Sequence, residues 1–170
     1  MVKFQYIWVY TQKLIVTNLI GTYECKADVK GRLLLPISLK RQLGAQVNEN
    51  FILKRSVFQT CLELHPFAEW KLTMDKVNKL NRFLKKNNDF IRMYTAGVRV
   101  VNLDSNGRIL IPKDLLKSHF SKNNLVLTTA INMIEIWDKE SYEKVIGDSE
   151  IDFAALSEKV MGNQQDDNVS

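Results

Sequence analysis

Residues 23–43 read YECKADVKGRLLLPISLKRQL, and 76 positions further on residues 99–120 read RVVNLDSNGRILIPKDLLKSHF. With Asp28 set over Asp104, Gly31 falls on Gly107, Arg32 on Arg108, Pro36 on Pro112, Leu39 on Leu115 and Arg41 on Lys117. A shared order of this kind marks an internal repeat, which settles the architecture before any single element does. In each copy an Asp opens and a Gly closes a four-residue turn, Asp28–Gly31 and Asp104–Gly107. Asp accepts turn N–H groups, and Gly takes the positive φ of a hairpin bulge. Three apolar residues then form a short strand ended by proline, which suits the start of a helix because its missing N–H costs little there. The helical turn Leu39–Leu43 stops at Gly44.

Further along, FILKRSVFQTCLEL (51–64) matches LVLTTAINMIEI (125–136) with two residues fewer, and Glu63 meets Glu135. Each reads as a second hairpin, Phe51–Arg55 against Cys61–Leu64 and Leu125–Thr128 against Met133–Trp137. Phe67, Trp70, Met74, Val77, Leu80 and Leu84 then step by three or four, predicting an amphipathic helix facing the core, with lysines on its other side. After the second copy, helices are predicted from about Asp138 and from Asp152 to Met161. Each half is therefore two strands, a helical turn, two strands and a helix.

Composition narrows the function classes. Residues 148–170 hold six acids against Lys159 alone, a balance of −5, so with a net charge of +5 overall the first 147 residues carry +10. A basic body with an acidic tail suits a polyanionic partner, because Lys and Arg release counterions condensed on phosphates. Cys25 and Cys61 are too far apart for a CxxC pair, and with His65 and His119 they make too scattered a set for zinc. They read as reduced thiols. No Ser-His-Asp set, carboxylate pair or Gly-rich phosphate loop stands out, so no enzyme activity, cofactor or small-molecule substrate is expected. The apolar start, MVKFQYIWVYTQKLIVTNLI, is broken at Gln12 and Lys13 and lacks a cleavage signature, so neither a signal peptide nor a membrane span is expected.

The pattern D-x-x-G-R, three apolar residues, Pro and a short basic helix resembles the swapped-hairpin module of the AbrB and SpoVT regulators. Two tandem copies, with CLELHPFAEW after the first and IEIWD after the second, resemble the MraZ family. The resemblance covers roughly residues 21–162. It implies an α+β fold of two swapped-hairpin modules paired as a pseudo-dimer within the chain, each followed by a helix. The corresponding divisions are an N-terminal extension (1–20), a first module (21–95), a second (96–162) and a disordered tail (163–170). It also implies a cytoplasmic, nucleoid-associated regulator that binds double-stranded DNA as a ring-like homo-oligomer, upstream of its own gene and the division and cell-wall gene cluster. An antitoxin with a toxin-binding tail is the alternative.

The matching positions nominate Lys26, Arg32, Lys40, Arg41, Arg108 and Lys117 as DNA-binding cations, with Asp28, Gly31, Asp104 and Gly107 as structural turn residues. In the first copy Lys26, Arg32, Lys40 and Arg41 are expected to converge. In the second, Asn102 and Leu116 replace Lys26 and Lys40, so that module is expected to bind DNA more weakly. Trp70 and Trp137 read as core or interface anchors, and His65 as a local hydrogen-bond donor.

Overall fold

A computed structural model describes residues 18–162; the readings of residues 1–17 and of the tail 163–170 lie outside the described residues. The first copy supplies β1 (Thr22–Lys26), β2 (Arg32–Leu34), α1 (Ile37–Leu43), β3 (Phe51–Arg55), β4 (Leu62–Pro66), α2 (Phe67–Val77) and α3 (Lys85–Thr95). The second supplies β5 (Arg99–Val101), β6 (Arg108–Leu110), α4 (Lys113–His119), β7 (Asn124–Ala130), β8 (Met133–Asp138), α5 (Lys139–Ile146) and α6 (Phe153–Met161). Residues up to Lys139 form one compact unit and those from Glu140 onward another. In that second unit Asp152 caps α6 by accepting the Ala155 N–H at 3.0 Å.

All strand pairs are antiparallel, and they cross between the copies. A six-stranded sheet runs β1-β7-β8-β4-β3-β5, and β2 pairs with β6 as a separate two-stranded ribbon. Thus β1 of the first copy lies on the second copy's hairpin, with Cys25 opposite Leu125. In return β5 lies on the first copy's hairpin, with Val101 opposite Phe51. The chain therefore has the α+β pseudo-dimeric fold that the duplicated motif implied. Two register pairs join equivalent residues, Leu33 with Ile109 in the ribbon and Glu63 with Glu135 in the sheet. The pseudo-two-fold axis relating the copies passes through both.

Strand alternation decides what fills the space between ribbon and sheet. Leu33 and Ile109 from the ribbon meet Leu53, Leu62, Leu64, Leu127, Ile134 and Ile136 from the sheet, all with 0% of their surface exposed. Leu35, Leu39, Ile111 and Leu115 close the sides. The intervening residues Lys54, Glu63, His65 and Trp137 are buried as well, with Tyr94 of α3 over Lys54. Burial alone would raise the Glu63 carboxyl, but hydrogen bonds from His65 Nε2 (3.0 Å) and Lys54 Nζ (2.9 Å), with the lysine's charge, hold it down at about 2. Lys54 also donates to the Arg55 carbonyl at 2.7 Å and lies 4.7 Å from the Tyr94 ring centre. Tyr94 in turn stacks on Phe90 and Trp70, and Trp70 meets the edge of His65.

Two details depart from the sequence expectation. Pro36 and Pro112 stand just outside their helices, with φ −54° and ψ 141°, rather than inside the first turn. The helix expected along Phe67–Leu84 ends at Val77, and a second one, α3, follows at Lys85. Asparagines explain the break. Asn81 Oδ1 accepts the Phe83 N–H at 2.9 Å, and Asn88 bonds to the Arg82 and Leu84 carbonyls, local bonds that compete with helix. The stripe is only partly covered, with Phe67 42% and Leu84 45% exposed, and its neighbour Phe83 is 99% exposed.

Candidate nucleic-acid interface

The two Asp-x-x-Gly turns have the same construction. Asp28 Oδ1 accepts the N–H groups of Lys30 and Arg32, both at 2.9 Å, and Gly31 N–H closes on the Asp28 carbonyl at 2.9 Å. Asp104 does the same for Asn106 and Arg108, with Gly107 closing the turn. Gly31 and Gly107 have φ of 82° and 75°, in the left-handed region that a side chain would strain. A Cβ at Gly31 would also stand 2.9 Å from the Ile111 carbonyl oxygen, and one at Gly107 2.6 Å from Lys40 Nζ.

Each aspartate has a second oxygen, and it holds an arginine. Arg32 Nε donates to Asp28 Oδ2 at 2.6 Å, while Arg108 reaches Asp104 Oδ2 through Nε at 2.9 Å and Nη2 at 2.8 Å. Backbone donation by Arg32, then its side chain, keeps the Asp28 carboxyl below the usual range; Arg108 does the same for Asp104. The carboxylates therefore stay charged at neutral pH and aim each guanidinium. No Nη of Arg32 is used in that bond, leaving a forked donor edge of the kind that grips a phosphate or the O6/N7 edge of guanine.

The ribbon places both arginines on one face. Arg32 lies opposite Leu110 and Leu34 opposite Arg108, with the wholly buried Leu33–Ile109 pair between them. Alternation therefore turns Arg32, Leu34, Arg108 and Leu110 outward together. Leu34 and Leu110 are each 55% exposed. Sequence reasoning did not single out these leucines, although a three-residue strand with a buried centre must turn both ends to the other side.

Around this face the cations fall differently from expectation. Lys40 does not join Arg32. Its amine lies at Gly107, and it lines a cleft with Asn102, Asp104, Ser105 and Asn106 of the second copy's turn. Reciprocally, Leu116 approaches Gly31, 3.5 Å from where a Cβ would stand. The reason is the exchange of strands, which seats each copy's helix on the other copy's turn. Lys40 thus lies at the second copy's turn rather than at its own, so the cations nominated in the first copy are not gathered on one copy's hairpin. Arg41 stands on the side of α1 opposite the buried Leu39 and Leu43, and its counterpart Lys117 is likewise exposed on α4. Lys26 is exposed at the end of β1, two residues before the first turn.

Burial pushes the thiols up, Cys25 to about 11 and Cys61 to about 12, so at neutral pH both are protonated and poorly nucleophilic. Among the described residues no group of three or more His, Cys, Asp or Glu could hold a metal ion, and no helix is long and apolar enough to cross a membrane.

Comparison with known proteins identifies relatives along nearly the whole chain. A family model described as "MraZ protein, putative antitoxin-like" matches residues 19–93 and again 95–164. The chain is 59% identical over 152 residues to a protein of Flavobacterium psychrophilum named transcriptional regulator MraZ, covering 89% of this chain and 97% of the relative. It is 57% identical to one of the same name from Christiangramia forsetii, over 90% of this chain and 99% of the relative. A third, from Bacteroides thetaiotaomicron, is 37% identical over 86% of this chain and 96% of the relative.

Proposed function

Because the chain belongs to the MraZ family, we propose that it is a DNA-binding transcriptional regulator and that the outer face of the β2–β6 ribbon is its DNA-facing surface. The observation that carries this is the pair of Asp-buttressed arginines, related by the pseudo-two-fold axis and presented on an exposed, basic face. Arg32 and Arg108 address base edges, while Lys26, Lys40, Arg41 and Lys117 address phosphates. Phosphate contacts fix the register of the protein on the duplex, and base contacts carry the sequence information. An approximate two-fold in the protein fits inverted half-sites. The resemblance extends the reading to DNA upstream of the protein's own gene and of the division and cell-wall cluster, bound in the cytoplasm at the nucleoid.

If four cations per protomer engage phosphates, the logarithm of the binding constant falls by about 3 to 4 per decade of salt for each engaged protomer. Anisotropy titrations of a duplex from upstream of the gene, between 50 and 300 mM salt, measure this slope. A flat response removes the basic face from the reading.

Self-association completes the proposal. Phe58 is 90% exposed, Phe83 99% and Met93 77%, apolar side chains left for a neighbouring protomer to cover. Repeated heterologous contacts close into rings. Native mass spectrometry at micromolar concentration is expected to show a single closed oligomer, and a monomer alone contradicts it.

A further inference from the structure

The outward leucines of the ribbon have no task in the arginine-and-phosphate scheme. Leu34 and Leu110 are each 55% exposed on the same face of the ribbon as Arg32 and Arg108, where solubility alone favours polar residues. Leu34 stands directly opposite Arg108, and Leu110 directly opposite Arg32. The four side chains form a small quadrilateral with the arginines on one diagonal and the leucines on the other. Its diagonals span about 7–8 Å. A two-stranded ribbon is of a size the major groove admits, and apolar side chains there meet the C5-methyl group of thymine.

Resting on the DNA-binding reading above, we infer that Leu34 and Leu110 are specificity-determining residues that read thymine methyl groups in the major groove, one on each DNA strand. With base pairs about 3.4 Å apart along each strand, a diagonal of that length places the two thymines about two base-pair steps apart. The pseudo-two-fold axis, passing between the leucines through Leu33 and Ile109, puts them on opposite strands. Each sits beside the base edge addressed by the arginine across the ribbon. The arginines supply the polar half of the code and the leucines the apolar half.

Uracil separates this role from every other, because it pairs as thymine does and lacks only the methyl. Duplexes enriched by the full-length protein from a random library are remade with single dT→dU replacements and titrated against wild type, Leu34→Ala and Leu110→Ala. The wild type is expected to lose about 4-fold in affinity at one position on each strand, the effect of one methyl group left unburied. Leu34→Ala is expected to bind the dT and dU forms equally at one of these positions, and Leu110→Ala at the other. Because both leucines are exposed, the melting temperatures of the variants should match wild type, which confirms that the fold is intact. If enrichment succeeds but no position discriminates dT from dU, or the leucine variants keep the discrimination, the leucine inference is overturned and the DNA-binding reading stands. If no sequence is enriched, the DNA-binding reading fails first. A changed subunit number with an unchanged dT/dU ratio would assign the leucines to self-association instead.

Discussion

Replacing either Arg32 or Arg108 with alanine is expected to weaken specific binding by about 1–3 kcal/mol, roughly 5- to 150-fold, and replacing both to abolish it. The fold should survive. Each arginine's ion pair is partly exposed, Arg32 and Asp28 at 34% and 35% of their side-chain surface and Arg108 and Asp104 at 27% and 38%, and such pairs add little stability. The turns do not depend on them, since each aspartate also binds two backbone N–H groups. The single losses should be similar in size, because the two arginines are held alike by Asp28 and Asp104 and are related by the pseudo-two-fold axis. Non-specific, salt-sensitive binding through the lysines should persist. In an oligomer that engages repeated elements, avidity multiplies each protomer's loss. Gel shifts of the three variants on operator and scrambled duplexes, with circular dichroism and size-exclusion controls, measure this. An Arg32→Ala protein that binds like wild type would defeat the assignment, and one that unfolds would make the arginine structural.

The largest expected effect on stability lies at Lys54. Its side chain is 2% exposed and satisfies Glu63, itself 10% exposed. Taking away the cation leaves a buried carboxylate held only by the neutral donors His65 and Ser56, so Lys54→Met should destabilise by about 3–5 kcal/mol, a large share of the 5–15 kcal/mol typical of a domain. The effect depends on pH in a stated direction. Glu63 has a folded value near 2, below the roughly 4.3 of an unfolded glutamate. The pair therefore contributes in full above about pH 4.5, and its contribution is lost as the pH falls toward 2. The gap between wild type and Lys54→Met should be widest at neutral pH and close on acidification. Pairing Lys54→Met with Glu63→Gln should restore most of the loss at pH 7, since the amide oxygen still accepts from His65. Urea unfolding at pH 7 and pH 3.5 measures all three. A Lys54→Met variant as stable as wild type at pH 7 would show that the pair is dispensable.

What was legible in the sequence followed from local chemistry. Asp28 and Gly31 can only be recognised as turn residues because Asp caps backbone donors and Gly tolerates positive φ, and the second copy repeated both. The hairpins followed from alternation, and the repeat's equivalent glutamates, Glu63 and Glu135, stand opposite each other in the sheet. Partner choice between strands was not legible, because alternation says which face a strand buries and not which strand lies beside it. The same limit hid the crossing of Lys40. The buried ion group was concealed for a related reason. Lys54, Glu63 and His65 alternate with apolar residues as solvent-facing ones would, and only the pairing of Lys54 with Glu63 across the hairpin reveals them as mutual partners. Helix α3 was missed because asparagines interrupt an apolar stripe that runs on in the sequence.

The exchange of outer strands also bears on how the protein is made. Cys25 finds its neighbour Leu125 a hundred residues later, and pairings that distant are slow to form. At the ~5–20 residues per second of protein synthesis, the first half waits about 5–20 s on the ribosome before β7 emerges to cover β1. During that interval β1 lacks its partner, and for most of it β3 also lacks β5 and the ribbon its second strand, since β5 and β6 are made only shortly before β7. Each half is built to accept a copy of itself, so nascent chains crowded on one messenger can complete one another's sheets, swapping whole modules between molecules. Translation pace and ribosome spacing thus join the amino-acid sequence in deciding whether each chain closes on itself.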